Sequence, residues 1–142
     1  MAIKTQISDD LLTSYNTAEF HVFHESSFIL KIGVYSDELS QIFSTKCISS
    51  AAFITAYNPY SKELTIAENK LRNKDLEDLI IKMKYDYIRG DGKSGNGDWE
   101  GEASFLILDI DEESSKFLGN QFEQNAIVWC DLDSIPQLVL LR

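Results

Sequence analysis

The residues of this chain best suited to chemistry are polar side chains set where apolar ones would be expected. "AAFITAYNP" starts at Ala51 as an apolar run and finishes on Thr55, Asn58 and Pro59. Glu68, Asn69 and Arg72 follow in a segment of helical periodicity, Glu102 precedes the apolar "SFLILDI", and Gln124 precedes "AIVW". Glu102 or Glu68 would serve as general acid or base, because a carboxyl at the edge of an apolar region holds its proton to higher pH. Thr55, Asn58, Asn69, Arg72 and Gln124 would orient a polar substrate through paired donors and acceptors. No Ser-His-Asp order, Cys-His pair or cofactor fingerprint accompanies them. The chemistry implied is therefore a hydrolysis or transfer that needs neither metal nor cofactor.

The elements that must position these groups follow from periodicity. Ser8, Asp9 and Asp10 open a helix whose Leu11, Leu12, Tyr15 and Ala18 recur at helical spacing. Alternation at Phe20, Val22 and His24, and again at Phe28, Leu30 and Ile32, predicts an antiparallel hairpin. Asp37 begins a short helix through Leu39, Ile42 and Phe43, and Ala51 to Tyr57 reads as a central strand that Pro59 ends. A long helix is expected from Thr65 to Lys84, then strands at Tyr85 to Arg89 and Trp99 to Ile110. Asp109 and Asp111 cap a helix carrying Phe117, Leu118 and Phe122, before strands at Ala126 to Cys130 and Leu138 to Leu141. Hairpins mixed with helical crossovers predict an α+β class, a mixed and mostly antiparallel sheet covered by roughly three to four helices. The length suits one domain over residues 1–142.

The long helix carries an irregularity. Counted at 100° per residue, Leu64, Ala67 and Leu71 centre at about 330°, whereas Leu76, Leu79, Ile80 and Met83 centre at about 110°. A continuous helix would turn Glu68, Asn69 and Arg72 toward the sheet. A kink near Asn73 would return them to solvent. If the helix is continuous, Asn58 and Glu68 should meet or share a partner, since the connection between them is short.

Even-numbered residues of the Trp99 strand share a face, which aligns Asp98, Glu100, Glu102 and Ser104 ahead of Leu106 and Leu108. Glu102 then stands at the edge of the buried portion, either with a raised pKa or paired with Arg72 or Arg89. "GDGKSGNGD", from Gly90, resembles a phosphate loop in composition but lies between strands, and Lys93 spoils it as a calcium loop. It reads as a hairpin tip that could act as a lid.

The net charge of -10 disfavours nucleic acid, whose phosphates are bound by Lys and Arg. No apolar run is of signal-peptide or membrane-span length, which predicts a cytoplasmic protein with no membrane partner. Cys47 and Cys130 read as reduced, buried small hydrophobes. His21 and His24 fall on opposite faces of a strand, so no metal site is expected.

Four separated motifs, "AAFITAYNPYS", "AEN" at Ala67 to Asn69, "WEGEASFLILDI" and "FEQNAIVW", resemble the bacterial proteins grouped as domain of unknown function family 3293. The resemblance spans roughly residues 15–130 and marks Thr55, Asn58, Pro59, Glu68, Asn69, Glu102 and Gln124. It implies no activity. Two functions stay open: binding and conversion of a small polar molecule at the end of the central strand, or an acidic protein-binding or inhibitor module that steers toward a basic partner.

Overall fold

A computed structural model describes residues 5–94 and 101–142. Its elements are α1 (Asp9–Thr17), β1 (Glu19–Val22), β2 (Phe28–Leu30), α2 (Asp37–Lys46) and β3 (Ala51–Ile54), then a 3-10 turn (Pro59–Ser61), α3 (Ile66–Lys82), β4 (Tyr87–Lys93), β5 (Glu102–Leu108), α4 (Glu112–Gln121), β6 (Ala126–Cys130) and β7 (Gln137–Leu140). The strands form one sheet in the order β2-β1-β4-β5-β3-β6-β7. The α+β class holds, and β3 is an inner strand, bonded to β5 on one side and β6 on the other.

Every pairing among the described strands is antiparallel, so the parallel pairs expected from helical crossovers are absent. The order of strands explains this. The crossover through α3 joins β3 to β4, which run parallel but have β5 between them; the crossover through α4 joins β5 to β6, with β3 between. Each of these two crossovers skips one strand, and the strand filling the gap runs the other way; the crossover through α2, from β2 to β3, skips three.

The sheet is apolar on both faces. Phe20, Leu30, Phe53, Leu106 and Leu108 pack on one side with Leu39, Ile42 and Phe43 of α2. Ile54, Phe105 and Ile107 pack on the other with Leu76 and Ile80 of α3 and Leu118 of α4. Of the apolar residues on α4, Leu118 is buried and Phe117 is 54% exposed.

The helix ends follow local chemistry. Ser8, Ser36, Thr65 and Asp111 each cap a helix by accepting a backbone N-H. α2 stops at Cys47, which adopts the left-handed conformation and is exposed rather than buried. α3 is continuous, and its buried stripe is Asn69, Asn73, Leu76 and Ile80. The apolar residues that set the first phase, Ala67 and Leu71, are exposed, because the amides have taken their place against the sheet.

β4 begins and ends later than expected, at Tyr87 and Lys93, so the first part of the glycine-rich stretch is strand and not loop. A Cβ on Gly90 would lie 2.3 Å from the His21 carbonyl oxygen and 2.9 Å from the Phe53 ring. Glycine is there because a neighbouring strand and an aromatic ring occupy the side-chain position. The remainder of that stretch, with the expected lid and with Asp98, Trp99 and Glu100, lies outside the described residues.

Candidate functional site

β3 stops hydrogen bonding as a strand at Ile54, and the segment that follows is held by side chains together with backbone bonds from Tyr60 to Glu123 and from Ser61 to Asn58. The Thr55 hydroxyl donates to the Ala103 carbonyl (2.7 Å) and accepts from the Tyr57 N-H (3.1 Å), extending the β3–β5 contact past the last ladder pair. Asn73 of α3 accepts from the Ala56 N-H at 3.1 Å. Asn58 is in left-handed conformation, as are Tyr60 and Ser61 just after it. Such a cluster of non-glycine positive φ values persists only where the surroundings enforce it.

Those surroundings are polar. The Asn58 N-H donates to Asn69 Oδ1 (2.9 Å) and Asn69 Nδ2 donates back to Asn58 Oδ1 (2.8 Å). Asn58 Oδ1 also accepts from the Leu64 N-H at 3.0 Å. Gln124 Nε2 donates to the Tyr57 carbonyl at 3.0 Å, and Asn125 Nδ2 donates to Ser61 Oγ at 2.9 Å. Tyr15 of α1 closes the ring with a 3.0 Å contact to Ser61 Oγ.

This frame borders a cleft of about 720 Å³ at the end of the sheet, beside the junction of β3 and β5. Thr55, Asn58, Asn69, Glu102 and Gln124 all line it, so five of the seven candidate residues meet. Phe20, Phe53 and Tyr57 supply aromatic wall, and Leu11 and Tyr15 of α1 form a side.

Glu102 stands out within it. Its direct neighbour across the β4–β5 pair is Gly92, which leaves the space beside the carboxyl open. Burial pushes its pKa from 4.5 up to about 7. Among the described residues the carboxyl has no hydrogen-bond or ion-pair partner. The pairing with Arg89 is ruled out by the pleat: Arg89 stands opposite Phe105 on the other face, where it bonds Glu77 at 2.6 Å. Burial, then the charges of Asp91 and Glu102, raises the pKa of the Tyr57 phenol, so that hydroxyl remains a proton donor.

Two candidates do not join the cleft. Glu68 is exposed at the third position of α3, where its carboxylate accepts from the Thr65 N-H and hydroxyl in a capping box. It neither meets Asn58 nor faces the sheet. The expected contact falls instead to Asn69, one residue on and about 100° around the helix. Arg72 points inward but is consumed by structure: it donates to the carbonyls of Ala56 and Phe122 and pairs with Glu123 at 3.6 Å, tying the end of β3 to the end of α4.

Tyr57, Asn73 and Asn125 belong to the site or its frame and are not among the residues that the sequence singles out. Tyr57 lies inside the "TAYNP" segment and Asn125 directly follows Gln124, so their positions beside marked residues are the signal that could have found them. No group of three or more His, Cys, Asp or Glu among the described residues is placed to hold a metal ion.

The family described as "protein of unknown function (DUF3293)" matches residues 54–127, a stretch that runs from the end of β3 into β6 and contains all seven candidate residues. The chain belongs to DUF3293. Comparison with curated proteins and with solved structures gave no match. The DUF3293 segment holds the amide frame and Glu102, whereas Leu11, Tyr15 and Phe20 on the cleft's other side lie before it. Among the described residues no helix is long and apolar enough to cross a membrane.

Proposed function

We propose that this DUF3293 protein binds a small polar molecule in the cleft at the end of β3, with Glu102 as the group that exchanges a proton with it. The supporting observation is the carboxyl itself: it lines a cleft, is half-buried, and has no partner among the described residues. Partial desolvation without a partner disfavours its ionised form, a cost that a bound molecule would offset. With a pKa of about 7 both forms are populated near neutrality, so Glu102 can accept a proton from a nucleophile or give one to a leaving group. Among the described residues the Oε1 of Gln124, Nδ2 of Asn58 and the Tyr57 hydroxyl have no fixed role in the frame, which leaves them to orient the molecule. The chemistry fits a hydrolase or transferase that works without a metal.

A thermal-shift and NMR screen of metabolites against the native protein and Glu102→Gln tests this reading. Ligands should perturb Phe53, Thr55, Ser104 and Gln124 in the native protein and lose affinity in the variant. Binding confined to other surfaces would sink it.

The second reading, an acidic protein-binding module, draws on a different region. Val34 and Tyr35 are each 55% exposed and Leu132 is 67% exposed, on two loops joined by the Ser36 N-H to Ser134 carbonyl bond. Together with the net charge of -10 they would suit a basic partner. Substituting these three residues would then abolish function while leaving the cleft untouched.

A further inference from the structure

The charge and shape of the cleft restrict what it can hold. Its described lining carries two acids, Glu63 and Glu102, and no Lys, Arg or His. Asp91 lies close enough to act on the same Tyr57 hydroxyl as Glu102. Arg72 and Arg142 are engaged elsewhere: Arg72 by two carbonyls and Glu123, Arg142 by Asn125 (3.1 Å), Gln6 (3.1 Å) and the ring of Tyr60 (4.1 Å). Lys62 and Lys93 flank lining residues in sequence but are exposed and outside the described lining. A phosphate or carboxylate entering here would meet like charge with no counter-ion in that lining.

The wall is aromatic and aliphatic. Phe20 and Phe53 meet edge to face, with centroids 5.2 Å apart, and present only their rims to the cleft, being 8% and 4% exposed, whereas the half-buried Tyr57, Tyr15 and Leu11 line it more openly. Aromatic rings attract cations through their negative faces, and a half-buried carboxylate in an apolar cleft is a counter-ion that water screens less than at an open surface.

We propose that the cleft selects a cation of the amine or amidine class carried on a flat apolar body, with Glu102 as its counter-ion and the wall of Leu11, Tyr15 and Tyr57, backed by the rims of Phe20 and Phe53, receiving the body. This rests on the small-molecule reading and narrows it. Binding is then coupled to a proton. The titratable groups that line the cleft with Glu102 are Tyr57, Glu63 and, from α1, Tyr15, none of which is a cation near neutral pH; Asp91, opposite Ala103, stands on the other face of the strand pair. Glu102 is therefore partly protonated in the free protein and fully ionised with the ligand bound. At pH 7 roughly half a proton should leave per ligand, rising toward one near pH 6 and vanishing by about pH 9.

The test is a charge series at constant size: benzylamine, benzyl alcohol and benzoate, followed by amide NMR shifts at Phe53, Thr55, Ser104 and Gln124. Titration calorimetry of the amine in two buffers of different ionisation enthalpy then counts protons. Benzylamine should bind at least about tenfold tighter than benzyl alcohol, with benzoate weakest, and release a proton at pH 6 but not at pH 9. Glu102→Gln should erase the preference for the amine. If benzoate or the alcohol binds as well as the amine, the cationic assignment is wrong while the small-molecule site stands. Absence of all three from the cleft up to about 10 mM would remove both. The series uses the native protein, so its outcome does not depend on the variant folding.

Discussion

Asn58 and Asn69 bind each other twice, backbone N-H to Oδ1 at 2.9 Å and Nδ2 to Oδ1 at 2.8 Å, and so lock the left-handed turn after β3 onto the first exposed-to-buried transition of α3. The pair sets the mouth of the cleft. It also fixes which neighbour in the "AEN" segment matters: Asn69 faces inward, while Glu68 caps the helix from outside.

Asn69→Ala should therefore cost about 2 to 3 kcal/mol, because it removes both bonds and leaves the part-buried Asn58 N-H unsatisfied. Glu68→Ala should cost under about 1 kcal/mol, the scale of an exposed cap, and Glu68→Gln almost nothing, since glutamine also completes a capping box. Urea denaturation of the three variants checks the order. Equal losses at Glu68 and Asn69 would contradict the division of roles.

Gly90→Ala should be among the most damaging single methyl additions in the sheet, costing about 3 kcal/mol. The new carbon meets a backbone oxygen at 2.3 Å, and backbone held in the β1–β4 pair cannot turn aside as a side chain would. Gly92→Ala is the control, since its added carbon finds nothing nearer than 3.8 Å. A smaller midpoint shift for Gly90→Ala than for Gly92→Ala would refute the packing argument.

Much of this was legible in the sequence and some was not, for identifiable reasons. Period-two runs indicate the β1–β2 hairpin, an unbroken apolar run the buried β3, and cap residues the starts of α1 and α4, because these depend on neighbours within a few positions. The all-antiparallel sheet was not legible, since strand order is decided by which strands fill the gaps left by crossovers. The phase jump in α3 leaves a continuous helix and a kink both open; the helix is continuous, so Asn69 and Arg72 turn inward, but Glu68 goes to the cap, where a local bond competes with the helix-wheel geometry. Gly90 and Gly92 read as loop because composition does not reveal that both lie in a paired strand, or that the His21 carbonyl and the Phe53 ring fill the side-chain space at Gly90. Glu102 was placed correctly at the edge of the core, but its lack of an arginine partner depends on the pleat and on what α3 does with Arg72.

The two cysteines should behave differently. Burial pushes the Cys130 thiol up to about 12, so it should react with a thiol reagent only on unfolding, whereas exposed Cys47 should react in the native protein. Cys47 also sits at φ 56°, a conformation that favours glycine. Cys47→Gly should then stabilise the protein by about 0.5 to 1 kcal/mol in thermal melts, and rapid labelling of both thiols in the folded protein would contradict the assignment.

Glu102 makes the sharpest pH prediction. Its folded pKa of about 7 lies above the ordinary 4.5, so the folded protein holds the proton more tightly than the unfolded chain. The sign follows directly: stability is full below about pH 4.5, falls as pH rises through the window, and reaches its lower plateau above about pH 7. The loss from this group is at most about 3 kcal/mol. Glutamine cannot ionise, so Glu102→Gln should melt at nearly the native temperature at about pH 4.5 and clearly above it at about pH 8, with the gap opening between. A cleft that carries this cost in the free protein should lose it when a cation enters, so benzylamine at about pH 8 should raise the melting point of the native protein and leave that of Glu102→Gln unchanged. If the variant were instead destabilised at that pH, the carboxylate would be serving a structural partner, and the case for Glu102 as the working group of the cleft would fail.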